Sequence, residues 1–156
     1  MKLYLVQHGK AVDKSVNPQR PLSEAGIKDV EKVAAFVTRA GAAPGCILHS
    51  GKTRARQTAE LFSEQAGTGT TVTGVDGIAP LDDVEAFADR IAAFGDEIMV
   101  CGHQPFIGKL VSHLLVGNTE ISSAEFLPGT IARLDRGEGG DWVLCWLVRP
   151  EMLDEH

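Results

Sequence analysis

The sequence predicts a three-layer α/β/α sandwich: a mostly parallel sheet covered by helices on both faces, with a C-terminal antiparallel hairpin. Three observations lead there. Short apolar runs of strand type alternate with longer segments whose apolar residues recur at helical spacing. The alternation is repeated through the chain, which demands parallel strands joined by helical crossovers. The last two strand-like runs are joined by a Gly-rich turn with no helix between them.

Lys2 to Val6 is a short run with β-branched and aromatic residues, ending at Gln7-His8-Gly9, and reads as the first strand. A polar loop runs to Pro21. Ser23 is then placed as an N-cap, with Ile27, Val30, Val33, Ala34 and Val37 at helical spacing and Gly41 beyond the end. Cys46 to His49 is a second strand, and Ala55, Thr58, Ala59, Phe62 and Ala66 share one face of a helix stopped by Gly67. Thr71 to Val75 is a weaker strand. Asp83 caps a helix carrying Val84, Phe87, Ala88 and Ile91, with Gly95 as its stop. Ile98 to Cys101 is the next strand, and Pro105 is suited to the first position of a helix with Phe106, Ile107, Leu110, Val111, Leu114 and Leu115 inward. Thr130 to Asp135 and Trp142 to Val148 flank the turn Gly137 to Asp141.

With 156 residues and 44% hydrophobic content, the chain fits a single domain over residues 1–156, able to bury a core without disulfide or metal staples. Its longest apolar runs, such as Val143 to Val148, fall far short of the ~20 residues a membrane span needs. Met1-Lys2 leads straight into Leu3 to Val6, too short for a signal-peptide core, so the expected location is cytoplasmic. Cys46, Cys101 and Cys145 are odd in number, show no CxxC spacing and sit in apolar runs, as buried free thiols of a reducing compartment do. The net charge of -6 disfavours nucleic acid and anionic membranes as partners. Five of the 15 cations, Lys10, Arg20, Lys52, Arg54 and Arg56, nonetheless gather in two short segments, which leaves room for a local anion pocket or a solvated basic face.

In open parallel sheets ligands bind beyond the carboxyl ends of the strands. The residues there are Gln7-His8-Gly9-Lys10, His49-Ser50-Gly51-Lys52 with Arg54, and Gly102-His103-Gln104. His8 and His103 each end a strand and each stand beside a Gly that permits close approach of a ligand. A neutral imidazole is a nucleophile toward phosphorus, Arg gives planar bidentate bonds to phosphate, and a helix start near His103 favours negative charge. Two imidazoles, an arginine and a helix N-terminus describe a phosphoryl-transfer pocket that needs no metal or other cofactor.

The segments LVQHGKA from Leu5, RPLSEAG from Arg20, HSGKTRARQTAE from His49 and MVCGHQPFIGKLV from Met99 together resemble the histidine phosphatase superfamily, and within it the small SixA-type phosphohistidine phosphatases. The resemblance covers essentially the whole chain. It implies that His8 is the nucleophile that becomes transiently phosphorylated, Arg54 a phosphate clamp and His103 a second histidine on the phosphoryl oxygens. Water then hydrolyses phospho-His8. Arg20 matches an arginine in the family's RPL segment and is carried over as a phosphate or substrate contact. The superfamily's nucleophile motif begins with Arg, whereas this chain has Gln7, a neutral donor, and Lys10 is the nearest cation able to take over the charge. Larger members carry a carboxylic acid in an inserted segment. Here Asp82, Asp83 and Glu85 are the acids to consider, and helix capping accounts for them more simply.

Other chemistries fit poorly. A P-loop needs four residues between Gly and Gly-Lys, and five separate Gly45 from Gly51. A cysteine phosphatase needs Arg six residues after Cys, where Cys46 has Lys52 and Cys101 has Ile107. His49, His113 and His156 show no metal-ligand spacing and read as structural or surface residues. The expected function is therefore a metal-independent phosphatase with a phosphorylated protein or a small phosphorylated molecule as partner. A small-molecule phosphomonoesterase and a non-catalytic phosphate- or phosphoprotein-binding module remain as alternatives.

Overall fold

The computed structural model describes residues 1–154, so His156 lies outside the described residues. The elements are β1 (Lys2–Gln7), α1 (Glu24–Arg39), β2 (Cys46–His49), α2 (Thr53–Ala66), β3 (Thr71–Gly74), α3 (Val84–Ala88), β4 (Glu97–Gly102), α4 (Phe106–Val116), β5 (Ile131–Arg136) and β6 (Trp142–Val148). Two short 3₁₀ turns, Ile91–Phe94 and Pro150–Leu153, complete them. The strands form one sheet in the order β3-β2-β4-β1-β5-β6, parallel from β3 to β1 and antiparallel from β1 through β5 to β6. The mostly parallel sheet with its closing hairpin is the architecture the sequence predicts.

Alternation along each strand divides the core in two. Tyr4 and Val6 of β1, Met99 and Cys101 of β4 and Ile47 of β2 pack under Val30, Val33 and Val37 of α1 and Ala59 and Phe62 of α2. Leu3, Leu5, Ile98, Val100 and Leu48 face the other way, onto Val84 and Phe87 of α3 and Phe106, Ile107, Leu110 and Val111 of α4. Each fully buried aliphatic side chain contributes about 1.5–3 kcal/mol of burial free energy, so both helical layers are held mainly by these stripes. β3 sits at the sheet edge with three of its four residues exposed, which explains its weak apolar signal.

Three local expectations need correction. The helix expected from Asp83 to Gly95 is broken: α3 stops at Ala88 and a 3₁₀ turn carries Ile91 to Phe94. Arg90 sits at the break, where its Nη1 donates to the Asp76 carbonyl at 2.9 Å and its guanidinium lies over the rings of Phe87 and Phe94. Pro105 is the residue before α4 rather than its first member. Of the three thiols expected to be buried, Cys101 is buried, Cys46 is only half-buried, and Cys145 is exposed because it lies on the edge strand β6.

Gly26, in the first turn of α1, fixes the loop that follows β1. A Cβ there would stand 2.1 Å from the Lys10 carbonyl oxygen, which accepts from both the N–H and the hydroxyl of Ser23, the N-cap of α1. Alanine normally favours a helix interior over glycine by ~1 kcal/mol. Here Gly26→Ala is expected to destabilise by roughly 1–3 kcal/mol, the usual cost of overpacking. Urea unfolding measures it, and a gain in stability would show that the Lys10 segment yields freely.

Candidate active site

Because β4 is inserted between β2 and β1, three adjacent strands present their carboxyl ends together. Gln7 is in register with Gly102 and His49 with Cys101, so His8, His103 and Ser50 leave the sheet at nearly one level. The His8 N–H donates to the Gly102 carbonyl at 3.0 Å, and the rings of His8 and His103 lie 5.0 Å apart between centroids. Both are buried, His8 at 8% exposure and His103 at 2%.

The surroundings of His8 define its tautomer. Nδ1 is 2.7 Å from the Gly9 carbonyl oxygen. A carbonyl only accepts, so Nδ1 carries the proton and Nε2 keeps its lone pair. Arg54 Nε donates to that lone pair at 3.3 Å. Thr58, wholly buried, fastens the two segments: its Oγ1 accepts from the Gly9 N–H at 3.0 Å and donates to the Arg54 carbonyl at 2.7 Å. The sequence pattern places Thr58 on the inner face of α2 and gives no hint of this bond.

Burial pushes the His8 imidazole down to about 4; the bond to Gly9 opposes this, while the charges of Arg54 and Arg20 add to it. His103 is pushed down to about 3, again mainly by burial, with His8, Arg54, Lys52 and Arg20 contributing. Both rings are neutral at pH 7, the form in which an imidazole is a nucleophile or a neutral donor. Arg54 is itself lowered from its ordinary value by burial and by Arg20.

These depressed values carry a stability consequence. Between about 6.5 and 4 the unfolded chain binds protons at these two positions and the folded chain does not, so stability falls as pH drops through that window. The contribution levels off once the folded rings also protonate. His103→Gln removes one of the two groups and is expected to flatten the fall of the urea midpoint between pH 6.5 and 4. An unchanged slope would mean that His103 titrates normally in the fold.

The structure thus brings together His8, Arg54 and His103. Gln7 is 8% exposed, with its main chain bonded to Thr130 and Gly129 and its Oε1 buried without a partner among the described residues. Arg20 is half-buried in a left-handed conformation, φ 49°, and its Nε donates to the Val12 carbonyl at 3.2 Å. The loop bearing it is tied to α2 by the Leu22 N–H, which donates to Gln57 Oε1. The Lys10 side chain is exposed, and it is Lys52, not Lys10, whose charge acts on His103. Ser50, whose Oγ lies 2.6 Å from His103 Nε2, stands among the strand-end residues that the sequence points to, but the sequence assigns it no role.

The start of α4 supplies dipole more than free donors. The Ile107 N–H is taken by the His103 carbonyl and the Gly108 N–H by Gln104 Oε1. Asp82 and Asp83 are engaged as turn and helix caps, accepting from the Ala79 and Ala86 N–H groups. His49 is structural, its Nδ1 accepting from the Gly51 N–H at 3.1 Å. Among the described residues no three His, Cys, Asp or Glu side chains converge as a metal-ligand set.

Comparison with known proteins finds similar sequences and similar folds. The model of the histidine phosphatase superfamily (branch 1) matches residues 3–82. The chain is 32% identical over 126 residues to an uncharacterised protein of Picosynechococcus sp., covering 76% of each. It is 24% identical over 155 residues to the phosphohistidine phosphatase SixA of Escherichia coli, covering 96% of this chain and 94% of that one. Among solved structures, the protein histidine phosphatase SixA complexed with tungstate superposes with a TM-score of 0.87 at 23% identity, covering 99% of this chain and 100% of the other.

Proposed function

The chain belongs to the histidine phosphatase superfamily, and from that premise we propose that residues 1–156 act as one domain, a metal-independent phosphatase with a phosphohistidine intermediate on His8. The observation that carries this reading is the neutral, buried His8, whose Nδ1 proton is pinned by Gly9 while its Nε2 lone pair meets Arg54 beside a second imidazole. Nε2 attacks phosphorus, the bond to the leaving group breaks and Arg54 turns its donors to the phosphoryl oxygens. His103 stabilises the same oxygens. Water then attacks phospho-His8, releasing inorganic phosphate and restoring the imidazole. Arg20, Gln7 and Lys10 hold the phosphoryl group or the molecule attached to it.

The substrate we favour is phosphohistidine on a protein. Asp82 and Asp83 are occupied as caps, and a protonated imidazole leaves with less help from an acid than an alkoxide does. Similarity to proteins described as phosphohistidine phosphatases supports the same substrate. A cytoplasmic setting agrees with the three unpaired thiols, and no helix among the described residues is long and apolar enough to cross a membrane. Parallel assays on a histidine-phosphorylated protein and on small phosphate esters test the reading. The expected result is a preference of at least about tenfold in kcat/KM for the protein, equivalent to ~1.4 kcal/mol in the transition state. The reverse preference makes the chain a small-molecule phosphomonoesterase. Hydrolysis of neither, with retained phosphate binding, makes it a binding module.

Gln7 offers a second test within this reading. A charge-assisted hydrogen bond contributes about 1.5–3 kcal/mol against 0.5–1.5 for a neutral one. Gln7→Arg is therefore expected to raise kcat/KM about tenfold. If Lys10 supplies the missing charge, Lys10→Ala costs activity in the parent chain and much less beside Gln7→Arg. Silence of both substitutions would place neither side chain at the phosphoryl group.

A further inference from the structure

The two ring nitrogens of His103 have opposite surroundings. Nε2 lies 2.6 Å from Ser50 Oγ. Nδ1 is buried and has no hydrogen-bond partner among the described residues. Burying an N–H without an acceptor is costlier and rarer than burying a bare lone pair. The proton therefore belongs on Nε2, where Ser50 Oγ accepts it. Sealed in the protein, Nδ1 cannot reach a ligand, so the Nε2 proton is what His103 has to offer a phosphoryl oxygen.

Building on the phosphatase reading above, we infer that Ser50 is a positioning residue: its hydroxyl oxygen holds the His103 imidazole in the Nε2-protonated tautomer until an arriving phosphoryl oxygen takes over that proton's hydrogen bond from Ser50 Oγ. The fold supplies the contact. Ser50 is the residue after β2, β2 pairs in parallel with β4, and the register of His49 with Cys101 sets Ser50 alongside Gly102 and His103. The Lys52 N–H approaches Ser50 Oγ at 3.4 Å as a second donor. With both lone pairs of the oxygen engaged, the Ser50 O–H is free to turn toward an arriving acceptor. Burial holds the His103 ring neutral at pH 7, so a single proton must choose between two nitrogens. For a neutral imidazole that choice decides whether the ring is a donor or an acceptor toward the substrate.

The test joins a spectroscopic signature to kinetics on the full chain. Two-bond proton–nitrogen correlation spectra of histidine-labelled protein report which ring nitrogen carries the proton, with His103→Gln used to assign the resonances. In the parent chain His103 is expected with Nε2 protonated and Nδ1 bare. Ser50→Ala is expected to give an averaged mixture of tautomers and to lower kcat/KM about tenfold on the histidine-phosphorylated protein, mostly through kcat, the loss expected for one hydrogen bond. Ser50→Thr keeps the hydroxyl and is expected to restore the tautomer and at least half of the rate. A proton on Nδ1 in the parent chain overturns the inference, and so does an unchanged tautomer in Ser50→Ala. A parent chain without phosphatase activity would sink the proposed function instead, while the spectra would still decide whether Ser50 governs the ring.

Discussion

His8→Ala is expected to lower turnover by at least about 10³-fold and to abolish phosphoryl labelling of the protein, because it removes the nucleophile and with it the covalent route. The geometry makes the expectation specific. His8 holds its proton on Nδ1 through the Gly9 carbonyl and presents Nε2 to Arg54, so the atom to be phosphorylated is Nε2. Phosphorus bound to imidazole nitrogen is lost in acid, and the label must be trapped under alkaline conditions. Chelators are expected to leave the parent rate unchanged, since no step in the proposed reaction is assigned to a metal. The substitution truncates a buried ring bonded to Gly9 and Arg54, so a loss of stability is expected and a urea unfolding curve is measured alongside activity to show that the variant is folded under assay conditions. Retention of full activity in His8→Ala would overturn the covalent mechanism, and loss of the parent rate on chelation would overturn its metal independence.

The parts of this site legible in the sequence are those carried by local pattern. A strand of six residues ending just before His8 and another ending just before His103 announce themselves by apolar runs closed with Gly. The Ser23 cap and the inward stripe of Val30, Val33 and Val37 announce α1. The contacts that sequence reasoning missed are set by sheet order. Ser50 and His103 are 53 positions apart, and they meet only because β4 is inserted between β2 and β1. Thr58 and Gly9 are 49 apart and meet because α2 packs beside α1 over the same face. No periodicity encodes either pairing. A hydroxyl on the buried stripe of a helix, four residues after a proposed phosphate clamp, was the available signal for Thr58. The break after α3 has a similar origin, since Arg90 is drawn to the Asp76 carbonyl by a contact 14 positions away.

Arg54→Ala is expected to weaken inhibition by phosphate or vanadate more than tenfold and to lower kcat by roughly 10²–10³-fold, the usual effect of removing one preorganised donor from developing charge. Three features of the structure separate this effect from incidental damage. The Arg54 main chain is held independently of its side chain, by the bond from Thr58 Oγ1 to its carbonyl. Removal of the guanidinium relieves the downward push of its charge on His8, but burial is the larger cause and keeps that ring depressed. The loss therefore does not come from protonating the nucleophile at pH 7. The guanidinium is half-buried beside the two imidazoles, and Arg20 acts on it as a like charge, so the folded chain does not depend on it for stability. Arg54→Lys is expected to recover anion binding only in part, because a single ammonium cannot reproduce planar two-point contact with a phosphoryl group. Unchanged anion inhibition in Arg54→Ala would place the anion site elsewhere. Full recovery in Arg54→Lys would mean that charge alone, and not the fork of donors, holds the phosphoryl group.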